Sequence, residues 1–204
     1  MSYIINLLEA FIVSYGLVEL CNIDKKKLFF VLNTVITFLM INYFDCINQN
    51  FTVSMLIFGL LWYVLVCIFA QENYIYNLFI AIFINLLCDL SAVIPVLFIY
   101  KYSVVFAGLT AKLIQFIMTY LFVKFRRKYY YFEDKYWFTI ITVMVLGELI
   151  IIFQDEQIIS NVYTTTNVLI NIFIVIIMGI SLYFFQLIEE SKLQNCMKNK
   201  NIKI

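Results

Sequence analysis

Histidine is absent from this 204-residue chain, and that absence excludes a good deal of chemistry. Neither an H-E-x-x-H zinc site nor a Ser–His or Cys–His nucleophile pair can be built from these residues. Glycine occurs five times and proline once, and no Walker-type or other glycine-rich phosphate loop is present. The five cysteines (Cys21, Cys46, Cys67, Cys88 and Cys196) are scattered, odd in number and form no C-x-x-C, so they indicate neither a disulfide framework nor a metal site. Asp89 is the only aspartate clearly inside an apolar run, which argues against a two-aspartate intramembrane protease. Charge is scarce as well: Asp, Glu, Lys and Arg make up 13% of the chain, against roughly 25% in a soluble domain. The chain is therefore not expected to be an enzyme, and it implies no cofactor and no metal.

What is present is apolar. Hydrophobic residues account for 64% of the sequence and the mean hydropathy is +0.95, more than a soluble core of this size can hide. The expected fold is an all-α integral membrane protein, a polytopic bundle of about seven transmembrane helices, with six as the alternative count. Each crossing takes ~20 residues, so seven would use roughly 140 and leave only short loops and a tail. Polar punctuation divides the chain into spans at about 3–20, 28–44, 51–70, from 74 to a kink or loop around Pro95, 104–123, 136–153, and from 158 toward 185. Neither Lys nor Arg precedes Lys25, so the first run reads as a retained span rather than a cleaved leader. Residues 1–185 form the membrane domain on this reading, and 186–204 a short cytoplasmic tail.

With seven spans, one side collects Lys25, Lys26, Lys27, Lys124, Arg126, Arg127, Lys128, Lys135, Lys192, Lys198, Lys200 and Lys203, and the other only Lys101. Cationic loops stay in the cytoplasm, which puts the amino terminus outside and the carboxyl terminus inside. The basic and aromatic stretch around 124–137 is read as an interfacial anchor, not a nucleic-acid site.

Ionisable groups inside spans face the bundle interior or a watery cavity. Glu9, Asp89, Lys112 and Glu148 are the clear cases, all expected in the outer half. Helical spacing groups further polar residues: Lys112, Gln115 and Thr119 share one face, as do Asn85 and Asp89, and as do Ser160, Thr164, Asn167 and Asn171. Two readings compete. In one, Lys112 pairs with Glu148, Glu9 or Asp89 and the amides stitch helices together. In the other, Glu9, Asp89, Lys112, Gln115, Glu148, Thr164, Asn167 and Asn171 surround a cavity that takes a ligand from outside. The single glycines at 16, 59, 108, 147 and 179 allow local close approach but make no small-xxx-small pair.

Three pieces of sequence carry a family resemblance: the opening Leu7-Leu8-Glu9-Ala10-Phe11-Ile12-Val13-Ser14-Tyr15 with the lysine cluster after it, the Lys135-Tyr136-Trp137 entry to the sixth span, and a polar-starting last span running into Glu189-Glu190-Ser191-Lys192-Leu193. Over about residues 1–195 the chain resembles the membrane sensor region of sensor histidine kinases of the accessory-gene-regulator C type, in the GHKL-ATPase group. The resemblance implies a multi-pass receptor in the bacterial cytoplasmic membrane that detects an extracellular peptide and signals through its last helix in a two-component, quorum-sensing system. It implies a peptide ligand and, as partners, a second copy or a full-length sensor kinase. The chain departs from that family in lacking the phosphoacceptor histidine and the ATP-binding domain. The alternative function is a small transporter or the substrate-binding subunit of an importer, and a third is an accessory membrane protein with no ligand. Against the transporter, the first span has a single alanine (Ala10), and no halves are related by repeat.

Overall fold

The computed structural model describes residues 2–47, 51–71, 74–98, 103–125, 141–147 and 149–150. Five helices follow one another: α1 (Ser2–Leu20), α2 (Lys26–Ile47), α3 (Phe51–Phe69), α4 (Tyr74–Phe98) and α5 (Val104–Phe125). Residues 141–147 and 149–150 are also helical, and no strand occurs among the described residues. The spans expected at 136–153 and 158–185 lie largely or wholly outside the described residues, as does the tail at 186–204.

Four of the helices are long and apolar enough to cross a bilayer, over Tyr3–Leu20, Lys26–Ile47, Tyr74–Ala92 and Val104–Lys124; α3 contributes a shorter apolar stretch, Leu56–Phe69. Their faces are sorted opposite to those of a soluble bundle. On α2 the exposed residues include Leu28, Val31, Val35, Leu39 and Tyr43, whereas Asn33, Thr34 and Thr37 are buried. On α3 the exposed stripe is Leu56, Leu60, Val64 and Ile68. Spacings of three and four put each stripe on one face. An apolar exterior, with polar side chains turned inward beside an apolar core, suits lipid contact, since hydrocarbon solvates leucine but not asparagine.

Side-chain contacts give the topology. Asn6 bonds to Asn42 and Asp45 while Ser14 bonds to Asn33 and Thr34, so α1 and α2 run antiparallel. Trp62 meets Thr37, Asn77 meets Cys67, and Gln115 meets Cys88, which makes each successive pair antiparallel in turn. Helix α1 also packs on α4 and α5. Ile5 lies beside Gly108, Glu9 beside Lys112 and Gly16 beside Thr119, a constant offset that makes α1 and α5 parallel neighbours in register. Helix α4 is the most enclosed, with 78% of its spanning window buried against 22% for α2 and for α5. Its core residues Phe79, Ile80, Phe83, Ile84 and Leu87 pack on α1, α3 and α5.

Two boundaries differ from the sequence expectation. Helix α4 continues through the buried Pro95 to Phe98, rather than breaking at the proline. Proline removes one backbone donor and crowds the carbonyl four residues back, that of Ser91, but neighbouring helices hold such a segment helical in a membrane bundle. Helix α2 is longer at both ends than residues 28–44. At its start Lys25 O accepts from Phe29 N at 2.9 Å, and at its end Asp45 stays within the helix, where it accepts a hydrogen bond from Asn6. The α1–α2 turn is clasped by the end of α3: Ile23 bridges Ala70, Asp24 N donates to Phe69 O, and Gln71 Nε2 donates to Asp24 Oδ2 at 2.9 Å.

Gly16 sits where α1, α4 and α5 converge. A Cβ there would meet Ile84 Cδ1 at 2.8 Å and Thr119 Cγ2 at 3.0 Å, whereas at Gly59 the nearest atom would be Asn85 Nδ2 at 3.8 Å. Gly16→Val should therefore lower the detergent melting midpoint, with an overpacking cost of about 1–3 kcal/mol. Gly59→Ala should leave the midpoint unchanged or raise it, because alanine favours the helix by up to about 1 kcal/mol. Equal behaviour of the two variants would contradict the close approach at Gly16.

Candidate functional site

Polar side chains from four helices converge in the half of the bundle that carries the α2–α3 connection. Here α1 contributes Asn6 and Glu9, α2 Asp45, α3 Ser54, and α4 Asn85 and Asp89; with Ile41, Phe44, Phe58, Trp62 and Cys88 they line a cavity of about 250 Å³. Each polar residue arrives by helical spacing. Asn6 and Glu9 stand three apart and Asn85 and Asp89 four apart, so each pair shares the inward face of its helix. Asp45 is exposed and Asp89 is 4% exposed, so the cavity grades from an accessible rim to an enclosed floor.

The aromatic side is continuous. Phe44 meets Phe58 edge-on at 5.5 Å between ring centroids, and Phe58 stacks on Trp62 at 5.7 Å with 28° between planes. The Trp62 indole N–H donates to Thr37 Oγ1 at 3.0 Å, which fixes the ring and leaves it an aromatic surface rather than a donor.

Beside the cavity, Lys112 Nζ of α5 lies 2.6 Å from Glu9 Oε2 of α1. The two side chains are 11% and 21% exposed, so the pair is largely enclosed. Two charges at this distance gain far more in a low-dielectric bundle than in water, and the pairing offsets the cost of placing either among apolar helices. Further along the same α5 face, Gln115 and Thr119 are buried, and Gln115 Nε2 contacts Cys88 Sγ at 3.0 Å.

The structure thus brings together part of the set singled out in the sequence. Glu9 and Asp89 line one cavity, Lys112 is bound to Glu9, and Gln115 lies behind the cavity against Cys88, itself a lining residue. Of the three partners considered for Lys112, Glu9 is in contact with it. The Glu148 side chain, Thr164, Asn167 and Asn171 lie outside the described residues. Sequence reasoning missed Asn6, Ser54, Phe58 and Trp62 as lining residues. Asn6 was available from its three-residue spacing to Glu9, but Trp62 and Phe58 look like any other apolar residues of a span. It also missed the knot of Ser14, Asn33 and Thr34, where Asn33 Nδ2 and Thr34 Oγ1 both donate to Ser14 Oγ at 2.8 and 2.9 Å. Bonds of this kind between helices in a bilayer average about 0.6 kcal/mol each.

Among the described residues no group of three or more Cys, Asp or Glu is placed to hold a metal ion. Compared with known proteins, the chain matches no family model, no curated sequence and no solved structure.

Lys112→Met should cost about 3 kcal/mol, because it strands the Glu9 carboxylate without its cation. The double variant Glu9→Gln/Lys112→Met should recover at least half of that loss, since no buried charge is left over. Detergent melting midpoints of the wild type, both single variants and the double variant measure the coupling. Simple additivity would mean that the two side chains do not act as a pair.

Proposed function

We propose that this chain is a membrane receptor module whose cavity between α1, α2, α3 and α4 receives a ligand from outside the cell. The observation that carries this reading is the cavity itself: about 250 Å³, with Glu9, Asn85 and Asp89 at its wall inside otherwise apolar helices. Ionisable residues are expensive at such positions, and where they occur they commonly mark ligand or ion sites. The charge distribution supports the orientation. Lys25, Lys26 and Lys27 follow the end of α1 and Lys124 ends α5, so all four gather at the end of the bundle opposite the cavity. A cytoplasmic location for that end leaves the cavity facing out, with the amino terminus outside.

A receptor also needs an element that responds to occupancy. The Glu9–Lys112 contact ties α1 to α5 at the edge of the cavity, so a ligand that engages Glu9 competes with α5 for it. The next stretch of chain after α5 holds the basic residues Arg126, Arg127 and Lys128, and a change in α5 is passed in that direction. The resemblance to the accessory-gene-regulator C type of sensor kinase agrees with this arrangement. It proposes an extracellular peptide as ligand, and a full-length sensor kinase or a second copy as partner. The remaining spans toward residue 185 complete the sensor, and 186–204 is its cytoplasmic tail.

Two measurements test the reading. Cys46 is exposed near the end of α2, on the cavity side. In intact cells carrying a Cys196→Ser variant, a membrane-impermeant maleimide should label the protein, and Cys46→Ser should remove the signal. Labelling only after permeabilisation would reverse the orientation. Co-purification from detergent-solubilised native membranes, followed by mass spectrometry, should recover a histidine kinase or response regulator. Recovery of ATPase and coupling subunits instead would replace the receptor by the substrate-binding part of an importer.

A further inference from the structure

We infer that the group this cavity accepts is a small organic cation, an ammonium or guanidinium carried on an apolar body. The inference rests on the cavity being a ligand site and goes on to name the chemistry of its occupant. Size comes first. Drug-sized ligand sites start at about 300 Å³, so a cavity of about 250 Å³ takes a fragment: one amine-bearing molecule, or the end of one peptide.

Charge comes next. Three carboxylates line the cavity, those of Asp45, Glu9 and Asp89, and among the described residues no basic side chain does. Lys112, the cation beside them, is already committed to Glu9 at 2.6 Å. The carboxylates are also ordered in depth, from exposed Asp45 through half-buried Glu9 to buried Asp89. With Glu9 paired to Lys112, an anion would still meet a carboxylate at the rim, Asp45, and at the floor, Asp89, in a medium that screens poorly. A cation would be drawn inward, and its lost hydration would be offset by charge-assisted hydrogen bonds.

The rest of the lining fits the same occupant. Phe44, Phe58 and Trp62 offer apolar area, and aromatic rings attract a cation that lies over their faces. The Trp62 indole N–H is taken by Thr37, so that ring presents no donor of its own to a carboxylate or carbonyl. Carboxylates and aromatic rings in one lining thus favour a positive group with an apolar neighbour.

The test uses the full chain in lipid nanodiscs. The sequence has two tryptophans, so in a Trp137→Phe background Trp62 alone reports on the cavity. Phenethylammonium should give a saturable fluorescence change. Neutral 2-phenylethanol should bind at least about tenfold more weakly, the difference between a charge-assisted and a neutral hydrogen bond. Anionic 3-phenylpropionate should give no saturable change. Asp89→Asn should weaken phenethylammonium about tenfold, and Asp45→Asn at the exposed rim about threefold, so a folding failure at the buried site does not decide the matter. The dipeptide amide Phe-Gly-NH2 separates the two sources of such a cation: binding as tight as phenethylammonium identifies a peptide terminus, and weaker binding a free amine. If the alcohol binds as tightly as the ammonium, or both Asp variants leave the ammonium unaffected, the cationic assignment is overturned while the cavity remains a ligand site. If no probe binds saturably, the receptor reading falls with it.

Discussion

In a bilayer, helices that expose leucine, valine and phenylalanine leave their polar side chains only one place to go, the space between helices. That constraint organises the bundle. Asparagine, serine and threonine on α1 and α2 meet in the Ser14–Asn33–Thr34 knot, Trp62 of α3 reaches Thr37 of α2, and Tyr76 of α4 donates to the carbonyl of Leu20 at the end of α1. Each contact joins two different helices, so satisfying the polar groups and assembling the bundle are a single process. The apolar core around α4 then adds packing density, with rings such as Phe83 and Phe122 in direct contact at 4.1 Å between centroids.

Glu9 and Lys112 are the sharpest case of that constraint. A lone carboxylate or ammonium at either position would be costly, and their contact holds two helices that are distant in sequence but parallel and in register in space. Gly16 and Gly108 favour close approach along this seam, because a methyl group at either would press on a side chain of the facing helix, Thr119 or Ile5, at 3.0 Å. Packing and electrostatics therefore act at one seam: small residues bring α1 and α5 together, and the ion pair makes that proximity favourable. The cavity lies on the other side of Glu9, so the same carboxylate belongs to both a structural contact and a polar wall.

Much of the fold is legible from residue order, because a span is a local property. The ends of α1 and α3 fall within a residue of where polar punctuation sets them, and the starts of α4 and α5 likewise. Inward faces follow from periodicity: Lys112, Gln115 and Thr119, and also Asn85 and Asp89, are all buried. The misses arise where a boundary depends on another helix. Asp45 reads as a loop residue until Asn6 of α1 is seen to bond to it, and Pro95 reads as a helix end until the enclosure of α4 is known.

By itself the sequence determined that the chain is helical and apolar enough for a bilayer, where α1, α3, α4 and α5 begin to within a residue, and which of their faces are polar. Those features depend on composition and on a 3.6-residue period, both carried by neighbouring residues along the chain. Tertiary structure decided which polar faces meet. It brought Glu9 to Lys112, set Trp62 and Phe58 around one cavity with Asp89, and left that space open rather than filled. No local pattern encodes those choices, because they depend on the register and the neighbour order of helices that can pair in several ways.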